Sequence, residues 1–544
     1  MRYQSRLALV LSLLLVLINA QTPTFPGPLS IEPGLDSGKC FTAASNTDGA
    51  IVTIQTCTGS TAQTWTFTGG SVKIFGNTKC LDVTNGSTAN GNVLQIWTCS
   101  TNNNPNQQFY YTTDNHFSWT NHGKCIDLTG GSTTVGNRPQ IWDCSGGNLN
   151  QIWNTTPSGT ALSTNPGFDI TSVFQRAEAL PSHSWEFGTA TEALLEVESA
   201  SLSVFGASPF PVPSIDPSTN PSLTYALANI PFPFGSHGLS NGDGAVGDPA
   251  SLGVAAVMIG KTKSNYAAAA QQEINYIISS APRWSNGAIS QRADVAELWA
   301  DFIYMAPPFI AYFATDSNNA SLLQTAYQQC GLYREVLLFG SSASTFDPPN
   351  TSKTNGLWHH IVGPQSPEPG LWSTGNGWAA AGMARVLATI IKAPVATGTS
   401  WRSTAISDLT SWIKEIVDGA RTSPLDGGLL RNYLNDTTTA HGFGEISGSS
   451  LIAAVTYRML ILAPTAFPSA TYLPFADSIR STLGGKDKSG NPHITQNGTA
   501  TPAVNPLAWL DTTPYTAGSP EGNNFVVLMY AAWRDCVSAG VCKN

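Results

Sequence analysis

The sequence of 544 residues is poor in charge, since only 11% of its residues are Asp, Glu, Lys or Arg. It has no long run of like charge and no low-complexity tract of the kind that keeps a chain unfolded. With 35 acidic and 26 basic residues its net charge is −9, which argues against nucleic acid as a partner. The composition is typical of a loop-rich globular protein, and the length allows two to four domains.

Hydrophobic runs long enough to span a membrane are also absent. The apolar segment Leu7–Ile18 is shorter than the roughly 20 residues that a spanning helix needs. Because two arginines precede it and Asn19-Ala20 follows it, residues 1–20 are predicted to be a secretory signal cleaved after Ala20. We therefore expect a secreted, extracellular protein with no membrane anchor, and no segment indicates a protein partner. Sequons for N-glycosylation occur at Asn85, Asn154, Asn319, Asn350, Asn435 and Asn497.

The nine cysteines are spaced as in a disulfide-bonded protein, which agrees with secretion. The predicted pairs are Cys40 with Cys57, Cys80 with Cys99, Cys125 with Cys144, and Cys536 with Cys542. Cys330 is then left over, and we expect it to be a buried thiol.

A Gln-x-Trp signature recurs between residues 63 and 153 and is tied to the first six cysteines. It reads Gln63-Thr-Trp65, Gln95-Ile-Trp97, Gln107-Gln-Phe109, Gln140-Ile-Trp142 and Gln151-Ile-Trp153. Three units of about 40–45 residues, each with short strands and turns, predict a repeat fold with one shared core. Over residues 29–155 the signature resembles the ricin B-type β-trefoil lectins. The resemblance implies an all-β domain that binds carbohydrate, in which Trp65, Phe109 and Trp153 pack where the repeats meet.

Two of the three repeats carry the residue types that a sugar pocket needs. A carboxylate accepts hydrogen bonds from sugar hydroxyls, an aromatic face stacks on the pyranose, and amides complete the polar ring. The second repeat supplies Asp82, Gln95, Trp97, Asn106 and Gln107, and the third supplies Asp127, Gln140, Trp142, Asn150 and Gln151. The first repeat has Thr42 and Gln55 instead of the carboxylate and the aromatic residue. We predict two competent pockets, the alternative being that these side chains only brace the repeats.

Beyond a linker at residues 156–167, the pattern changes to apolar residues at helical spacing. The predicted helices are Ala250–Lys261, Tyr266–Ser279, Val295–Phe313, Ala320–Leu338, Gly377–Ile391, Ile406–Val417, Ser447–Leu462, Phe475–Leu483 and Gly522–Val537. Residues 168–544 are therefore predicted to form one large all-α domain. An α-solenoid would show an internal repeat, and none is found here.

Three aspartates in this domain are candidates for acid–base chemistry. Asp301 follows Trp299 and precedes Tyr304, and a carboxyl group among aromatic rings suits a general acid. It could instead pair with Arg292 or cap a turn. Asp243 and Asp248 lie in a glycine-rich segment before a helix, where either could simply be a cap.

Aromatic and histidine side chains form the other candidate cluster. His359 and His360 follow Trp358, and Trp372 and Trp378 flank a Gly-Asn-Gly turn that could wall a sugar subsite or belong to the core. Adjacent histidines point apart and no third ligand follows at metal spacing, so we expect no metal site and no cofactor. Glu445 and Glu521 begin helices, where a glutamate is often only a dipole or capping residue.

Together these segments resemble the six-hairpin glycosidases, and most closely the unsaturated rhamnogalacturonyl hydrolases of glycoside hydrolase family 105. The resemblance rests on Leu298-Trp-Ala-Asp301-Phe-Ile-Tyr-Met305, Gly356-Leu-Trp-His-His360, Trp372–Trp378 and Ser519-Pro-Glu-Gly522. It implies an (α/α)₆ barrel whose substrate is a Δ4,5-unsaturated uronic acid at a chain end.

The resemblance also implies a role for each matching residue. Asp301 matches the acid/base, His360 a substrate contact, and Trp372 and Trp378 the aromatic wall; Asp243 is expected as a second aspartate, with Asp248 as the alternative. Thr374 stands where an arginine is expected between the two tryptophans, so Arg292 or Arg283 would have to hold the uronate carboxylate.

We thus expect a secreted, lectin-tethered glycoside hydrolase that acts on pectin-derived or similar oligosaccharides with unsaturated uronate ends. Two alternatives remain at this point. One is a carbohydrate-binding protein with a non-catalytic barrel, and the other is a conventional glycosidase that uses two carboxylates.

Overall fold

A computed structural model describes residues 29–543 apart from residues 37, 58–59, 69, 113, 158–164, 208, 232–233, 236, 342–355, 509 and 512. The predicted signal at residues 1–20, most of the predicted linker and the sequon at Asn350 lie outside the described residues. The chain divides into two compact units, with the division between Ser158 and Gly159. None of the described helices is both long and apolar enough to cross a membrane.

The first unit is built from short antiparallel strands. They are β1 (Leu29–Pro33), β2 (Lys39–Ala43), β3 (Val52–Thr56), β4 (Trp65–Thr68), β5 (Ser71–Ile74), β6 (Lys79–Val83), β7 (Leu94–Thr98), β8 (Phe109–Tyr111), β9 (Phe117–Trp119), β10 (Lys124–Leu128), β11 (Pro139–Asp143) and β12 (Trp153–Pro157). The corresponding hairpins of the three repeats are β2–β3, β6–β7 and β10–β11, and β12 returns to pair with β1. This threefold recurrence of one hairpin is the β-trefoil pattern that the sequence predicts.

One disulfide fastens each repeat hairpin, joining Cys40 to Cys57, Cys80 to Cys99, and Cys125 to Cys144. The shared core lies between the repeats, where Trp65, Phe109 and Trp153 are at most 1% exposed. The indole nitrogens of Trp65 and Trp153 donate to the carbonyl oxygens of Phe41 and Ile126. The Gln-x-Trp aromatics at these positions are therefore part of the core.

The second unit is helical. Its helices are α1 (Ile170–Ala179), α2 (Ser184–Glu198), α3 (Pro221–Asn229), α4 (Gly247–Ala250), α5 (Gly253–Gly260), α6 (Ser264–Ser279), α7 (Phe302–Asp316), α8 (Ala320–Leu337), α9 (Ser373–Lys392), α10 (Arg402–Thr422), α11 (Ile446–Leu462), α12 (Ser469–Leu483) and α13 (Pro520–Ser538). Two-residue strands also occur: β13 (Leu298–Trp299), β14 (Ile361–Val362), β15 (Leu425–Asp426) and β16 (Leu429–Leu430). The Cys536–Cys542 disulfide closes the end of α13, and Cys330 is a buried free thiol.

The sequence places several helix starts wrongly, since the helices predicted from Gly377, Ile406 and Phe475 begin at Ser373, Arg402 and Ser469. The predicted helix Val295–Phe313 begins at Phe302, because Leu298 and Trp299 pair with Val362 and Ile361 as strands. Helices α1 to α3, which precede the first predicted helix, are also missing from the sequence-based prediction. Helix α2 is buried on nearly every face and has little amphipathic pattern, whereas α1 is amphipathic and its pattern was overlooked.

Within the described residues the helices form two concentric rings. The inner ring runs α2, α4–α5, α7, α9, α11 and α13, and α13 packs back against α2 to close it. Each inner helix has an outer partner, which are α1, α3, α6, α8, α10 and α12. Inner helices such as α9 and α11 are buried along almost their whole length, as helices packed on both sides must be. The predicted (α/α)₆ barrel is thereby confirmed.

The close approach of α9 to α7 generates a test of this packing. A Cβ added at Gly382 would overlap the backbone carbonyl of Ile303, whereas one at Gly377 would lie 3.2 Å from the flexible Leu451 side chain. Alanine is favoured over glycine in a helix by about 1 kcal/mol, yet overpacking costs about 1–3 kcal/mol or more. We expect Gly382→Ala to lower the free energy of unfolding by about 1–3 kcal/mol in denaturant melts. Gly377→Ala on the same helix should change it by less than about 1 kcal/mol, and equal effects would contradict the packing.

Candidate active site

A cavity of about 650 Å³ opens where the inner helices begin. Trp185 lies in the first turn of α2, Asp248 in that of α4 and Glu521 in that of α13, while Asp301 and Trp372 directly precede α7 and α9. The N-termini of these inner helices therefore converge on one space. Their unpaired N–H groups and aligned dipoles favour negative charge there. The lining side chains that titrate are His183, Asp243, Asp248, Arg292, Asp301, His360 and Glu521.

Asp301 and His360 are brought together by the short β13–β14 pairing. Trp299 lies opposite Ile361, and the next residue on each side continues the pairing, since the Ala300 N–H donates to the His360 carbonyl oxygen at 2.9 Å. The Nε2 atom of His360 lies 3.4 Å from the Asp301 carboxylate, whose side chain is 17% exposed. The predicted acid and the predicted histidine thus form one unit at the wall of the cavity.

His360 lies between two carboxylates. Its Nδ1 atom is 3.1 Å from an Oε atom of Glu368, on the side opposite Asp301. Burial opposes the charged imidazolium, but the hydrogen bonds and charges of Asp301 and Glu368 outweigh it and raise the pKa of His360 to about 9. Burial likewise opposes the charge of Glu368, yet His360 and the Gly370 N–H lower the pKa of Glu368 below its usual value.

Sequence reasoning missed Glu368. The residue stands in the Pro367-Glu-Pro-Gly370 turn, and its backbone pairs with Ile361, one residue after His360. The prolines and glycines around it predict a chain reversal that would return this segment to His360. That signal was available in the sequence but was not used.

Asp248 is the better placed of the two candidate second aspartates. It is partly buried and accepts a hydrogen bond of 2.9 Å from Nε2 of Gln291. Burial raises the pKa of Asp248 to about 7, and the nearby charge of Asp301 adds to the effect. Asp243 also lines the cavity but is exposed, on a turn where its backbone φ is +47°. Neither aspartate accepts a capping hydrogen bond at the start of its helix.

Glu521 contributes a further carboxyl group to the cavity. Its side chain is 5% exposed, and the Trp185 indole nitrogen lies 3.3 Å from its Oε1 atom. Burial, together with the charge of Asp301, holds the pKa of Glu521 well above its usual value. Glu445, by contrast, caps α11 by accepting from the N–H groups of Ser447 and Gly448. Of the two helix-starting glutamates, only Glu521 faces the cavity.

The aromatic wall differs from the expected one. Trp372 lines the cavity, and its indole nitrogen donates to Asn432 at 2.8 Å. Trp299 lines it as well, held by a 2.8 Å hydrogen bond to Glu297. The prediction for Trp378 is wrong, because this residue is fully buried between Tyr304 and Phe525 and belongs to the barrel core. Trp378 lies one and a half helical turns after Trp372, so its side chain points into the inner ring.

Arg292 is the arginine that reaches the cavity. Its Nε atom donates to Gln365 at 3.1 Å, and its guanidinium lies beside Gly244. Arg283 instead donates to the carbonyl oxygens of Ile278 and Gly287 and does not line the cavity. Thr374 is buried and turned toward Glu445, 3.3 Å away. Of these three positions, only Arg292 lines the cavity.

The two predicted sugar pockets of the first unit share one hydrogen-bond arrangement. In the second repeat, Gln95 and Gln107 each donate to one oxygen of the Asp82 carboxylate, at 3.0 and 3.1 Å. Trp97 is 46% exposed and Trp142, its counterpart in the third repeat, is 42% exposed. The two rings thus stand at the surface, whereas Asp82 and Asp127 are each only 4% exposed.

The third repeat repeats these contacts, and the first lacks them. Gln140 and Gln151 donate to the two oxygens of Asp127 at 2.9 and 3.2 Å. In the first repeat Gln63 donates instead to the Thr42 hydroxyl at 2.9 Å. Asn106 and Asn150 lie against Gly86 and Gly131, the equivalent turns of their repeats. The structure therefore distinguishes two equivalent sites from one altered position.

The sequence model of Glycosyl Hydrolase Family 88 matches residues 254–528, just over half of the chain. The chain belongs to this family. Models of the ricin-type β-trefoil lectin domain and of a related trefoil domain match residues 69–171 and 34–97. No curated protein matches the chain at a significant level. The protein is thus a glycoside hydrolase joined to a carbohydrate-binding domain.

Two solved structures described as possible members of the GH105 family share the fold of this chain. One comes from Salmonella enterica serovar Paratyphi A and the other from Klebsiella pneumoniae. Each is 13% identical, covers 67% of this chain and 92% of its own, and superposes with a TM-score of 0.51. At this identity the likeness establishes the six-hairpin fold.

The raised pKa of Asp248 predicts that this carboxyl group destabilises the fold above acidic pH. Between pH 3.8 and about 7 the folded state keeps a proton that the unfolded state has lost, so stability falls as pH rises through this window. We expect Asp248→Asn to gain about 1–3 kcal/mol over wild type between pH 4.5 and pH 8, reduced from the full shift because the carboxyl is partly exposed. Denaturant melts at the two pH values measure this difference. The exposed Asp243→Asn should show no comparable gain, and a pH-independent effect of Asp248→Asn would contradict the assignment.

Proposed function

We propose that the barrel hydrates the C4=C5 double bond of a Δ4,5-unsaturated uronic acid at the end of an oligosaccharide and so releases that sugar. The observation that carries the proposal is the position of Asp301 at the cavity wall, with its carboxylate 3.4 Å from Nε2 of His360. This chemistry needs one acid/base group and not the carboxylate pair of ordinary glycosidases. Secretion and a role in the degradation of pectin belong to the same proposal.

In the proposed reaction Asp301 gives a proton to C4 of the vinyl ether. Positive charge then develops at C5 and on the ring oxygen, and water adds at C5 while Asp301 takes up the proton that the water loses. The product is a hemiketal that opens and frees the remaining sugar. Trp372 and Trp299 would stack on the sugar ring, and His360 would contact it.

The uronate carboxylate would lie at the converging helix N-termini, beside Arg292. Acidic as well as basic side chains line the cavity, so the side chains alone do not make it positive. The N-termini of the inner helices would supply additional attraction for an anion. Asp248 is our choice for the second functional aspartate over Asp243. It is held by Gln291 and is close enough to Asp301 for their charges to interact.

The test is the ultraviolet absorbance of the unsaturated uronate during turnover of lyase-digested rhamnogalacturonan and other unsaturated oligouronides. Wild-type protein should consume the absorbance, and Asp301→Asn should lose at least about 100-fold in rate. The matched control is Asp316→Asn at the far end of the same helix, where Asp316 pairs with Lys261 at the surface. Full activity in Asp301→Asn would contradict the assignment of Asp301 as the acid/base group.

A conventional two-carboxylate glycosidase is the second candidate, and the carboxyl groups of Asp248 and Glu521 favour it. Both have raised pKa values and face the same cavity as Asp301. A two-carboxylate enzyme would hydrolyse saturated glycosides without any loss of ultraviolet absorbance. Turnover of saturated substrates alone would therefore replace the first proposal with this one.

For the lectin domain we propose that Trp97 and Trp142 are the stacking faces of two sugar sites, with Asp82, Asn106 and Gln107 in one and Asp127, Asn150 and Gln151 in the other. Gln95 and Gln140 would hold the two aspartates. Two weak sites on one domain suit attachment to a polymer, because the second contact is intramolecular.

Removing the ring of Trp97 or Trp142 should leave the domain with one sugar site and so end bivalent binding. We expect Trp97→Ala or Trp142→Ala to lower apparent affinity for a glycan surface by about 100-fold or more and the double variant to abolish binding, measured on a glycan array and then by surface retention. Leu149→Ala, which removes another exposed apolar side chain of the same domain, is the control. Undiminished binding by the double variant would exclude these sites.

A further inference from the structure

The Glu368 carboxylate is held by contacts with Gly370 and His360. One of its carboxylate oxygens accepts the Gly370 N–H at 2.8 Å, and the other lies 3.1 Å from Nδ1 of His360. Its side chain is 14% exposed, and it does not line the cavity. Glu368 therefore reaches the cavity only through His360.

The backbone holds the imidazole from both sides. The His360 N–H donates to the Gly370 carbonyl oxygen at 3.0 Å, and its own carbonyl accepts from Ala300 at 2.9 Å. The ring packs between Trp299 and Trp372, with centroid distances of 5.8 and 4.4 Å. These contacts direct one ring nitrogen at Glu368 and the other at Asp301. An imidazole with a carboxylate at each nitrogen is expected to carry both protons.

No other titratable group described near Glu368, His360 and Asp301 takes the place of Glu368 at Nδ1 of His360. The Tyr433 phenol touches Glu368, and burial with the charge of Glu368 raises the pKa of that phenol above its ordinary value, so it stays neutral. Asp248 of α4 and Glu521 of α13 face the same cavity as Asp301, whose charge adds to burial in raising the pKa of each. His359 is turned away, with Nδ1 at the Pro369 carbonyl oxygen. The remaining cavity cation is Arg292, whose Nε atom is bonded to Gln365, and the remaining cavity histidine is His183.

We propose that Glu368 is a positioning residue that keeps His360 as an imidazolium, and that this imidazolium stores the proton which Asp301 delivers to the substrate. The inference rests on the proposed function. Before the reaction the pair is His360 with two protons and an Asp301 carboxylate. The Nε2 proton moves to Asp301, which passes it to C4 of the unsaturated sugar. When water adds at C5, Asp301 takes the proton released by the water and returns it to His360, so the protons balance over one cycle.

If His360 stores the proton, the fall of the rate at alkaline pH follows the deprotonation of His360. A neutral imidazole keeps its one proton on Nδ1, facing Glu368, and has none on Nε2 to give to Asp301, so activity should fall as pH rises through the ionisation of this residue. Glu368→Gln keeps the size of the side chain and an oxygen acceptor but removes the charge. The loss of one facing carboxylate shifts a pKa by about 1–3 units, so we expect the alkaline limb to move down by at least about 1 unit. From a His360 pKa of about 9, a downward shift of about one unit should lower the rate at pH 8 about 2-fold relative to the rate at pH 5.5, and a shift of about two units about 10-fold, with KM little changed.

The decisive measurement is the titration of His360 itself in the full-length protein, by ¹H–¹⁵N spectra of protein labelled in its eight histidines. His360→Gln identifies the signal. In Glu368→Gln the midpoint of His360 should fall by at least about 1 unit together with the rate limb, whereas Glu368→Asp, which keeps the charge, should stay within about 0.5 unit of wild type. Glu415→Gln, which removes a surface glutamate paired with Arg334, should alter neither.

An unchanged midpoint and an unchanged rate limb in Glu368→Gln would overturn the inference even if the variant lost activity uniformly at all pH values. A shifted midpoint with an unshifted limb would overturn the proton-storing role. If wild-type protein consumed no unsaturated uronide, the proposed function would fail. The titration of His360 would still decide separately whether Glu368 holds it charged.

Discussion

The closure of six inner helices into a ring is the constraint on which the active end of the barrel depends. Because the outer helices alternate with the inner ones along the chain, all the inner helices run in the same direction and begin at the same end. Their unpaired N–H groups cannot be satisfied within the helices. Side chains supply part of the acceptors, as Glu445 does for α11. The N-terminal ends of the helices keep a partial positive charge, which stabilises negative charge on the carboxyl groups of the cavity.

Buried ion pairs join the same inner helices further along the ring. Glu192 of α2 lies 2.8 Å from Arg385 of α9, and Glu196 of α2 lies 2.6 Å from Arg458 of α11. Arg458 also contacts Asp535 of α13. Such pairs lose their hydration on burial, so their net stabilisation is small, but breaking one leaves an uncompensated charge. These pairs link α2, α9, α11 and α13 to one another, and Trp372 and Glu521 stand at the N-terminal ends of two of these helices.

The sequence predicts the fold and the cavity position of Asp301 more completely than it predicts the residues around Asp301. The trefoil is readable because its repeats carry the same cysteines and tryptophans, and Asp301 because its neighbours are unusual for a core. Trp378 was misassigned because a motif does not reveal which side of a helix faces the cavity. Glu368 and Glu521 were overlooked or discounted because their importance comes from contacts with His360 and Trp185, which are remote in the chain or reached through a turn.

Residue 374 is buried and does not line the cavity of the barrel, so it is not placed to contact a ligand there. Thr374 is fully buried and lies 3.3 Å from the Glu445 carboxylate that caps α11. A longer cationic side chain at that position would have to displace the cap or pair with it. Under the proposed function, the charge of a uronate would be left to Arg292 and the helix N-termini. Glu368 faces one ring nitrogen of His360 from the side away from the cavity, and Asp301 faces the other, so His360 is the cation that these two carboxylates would share.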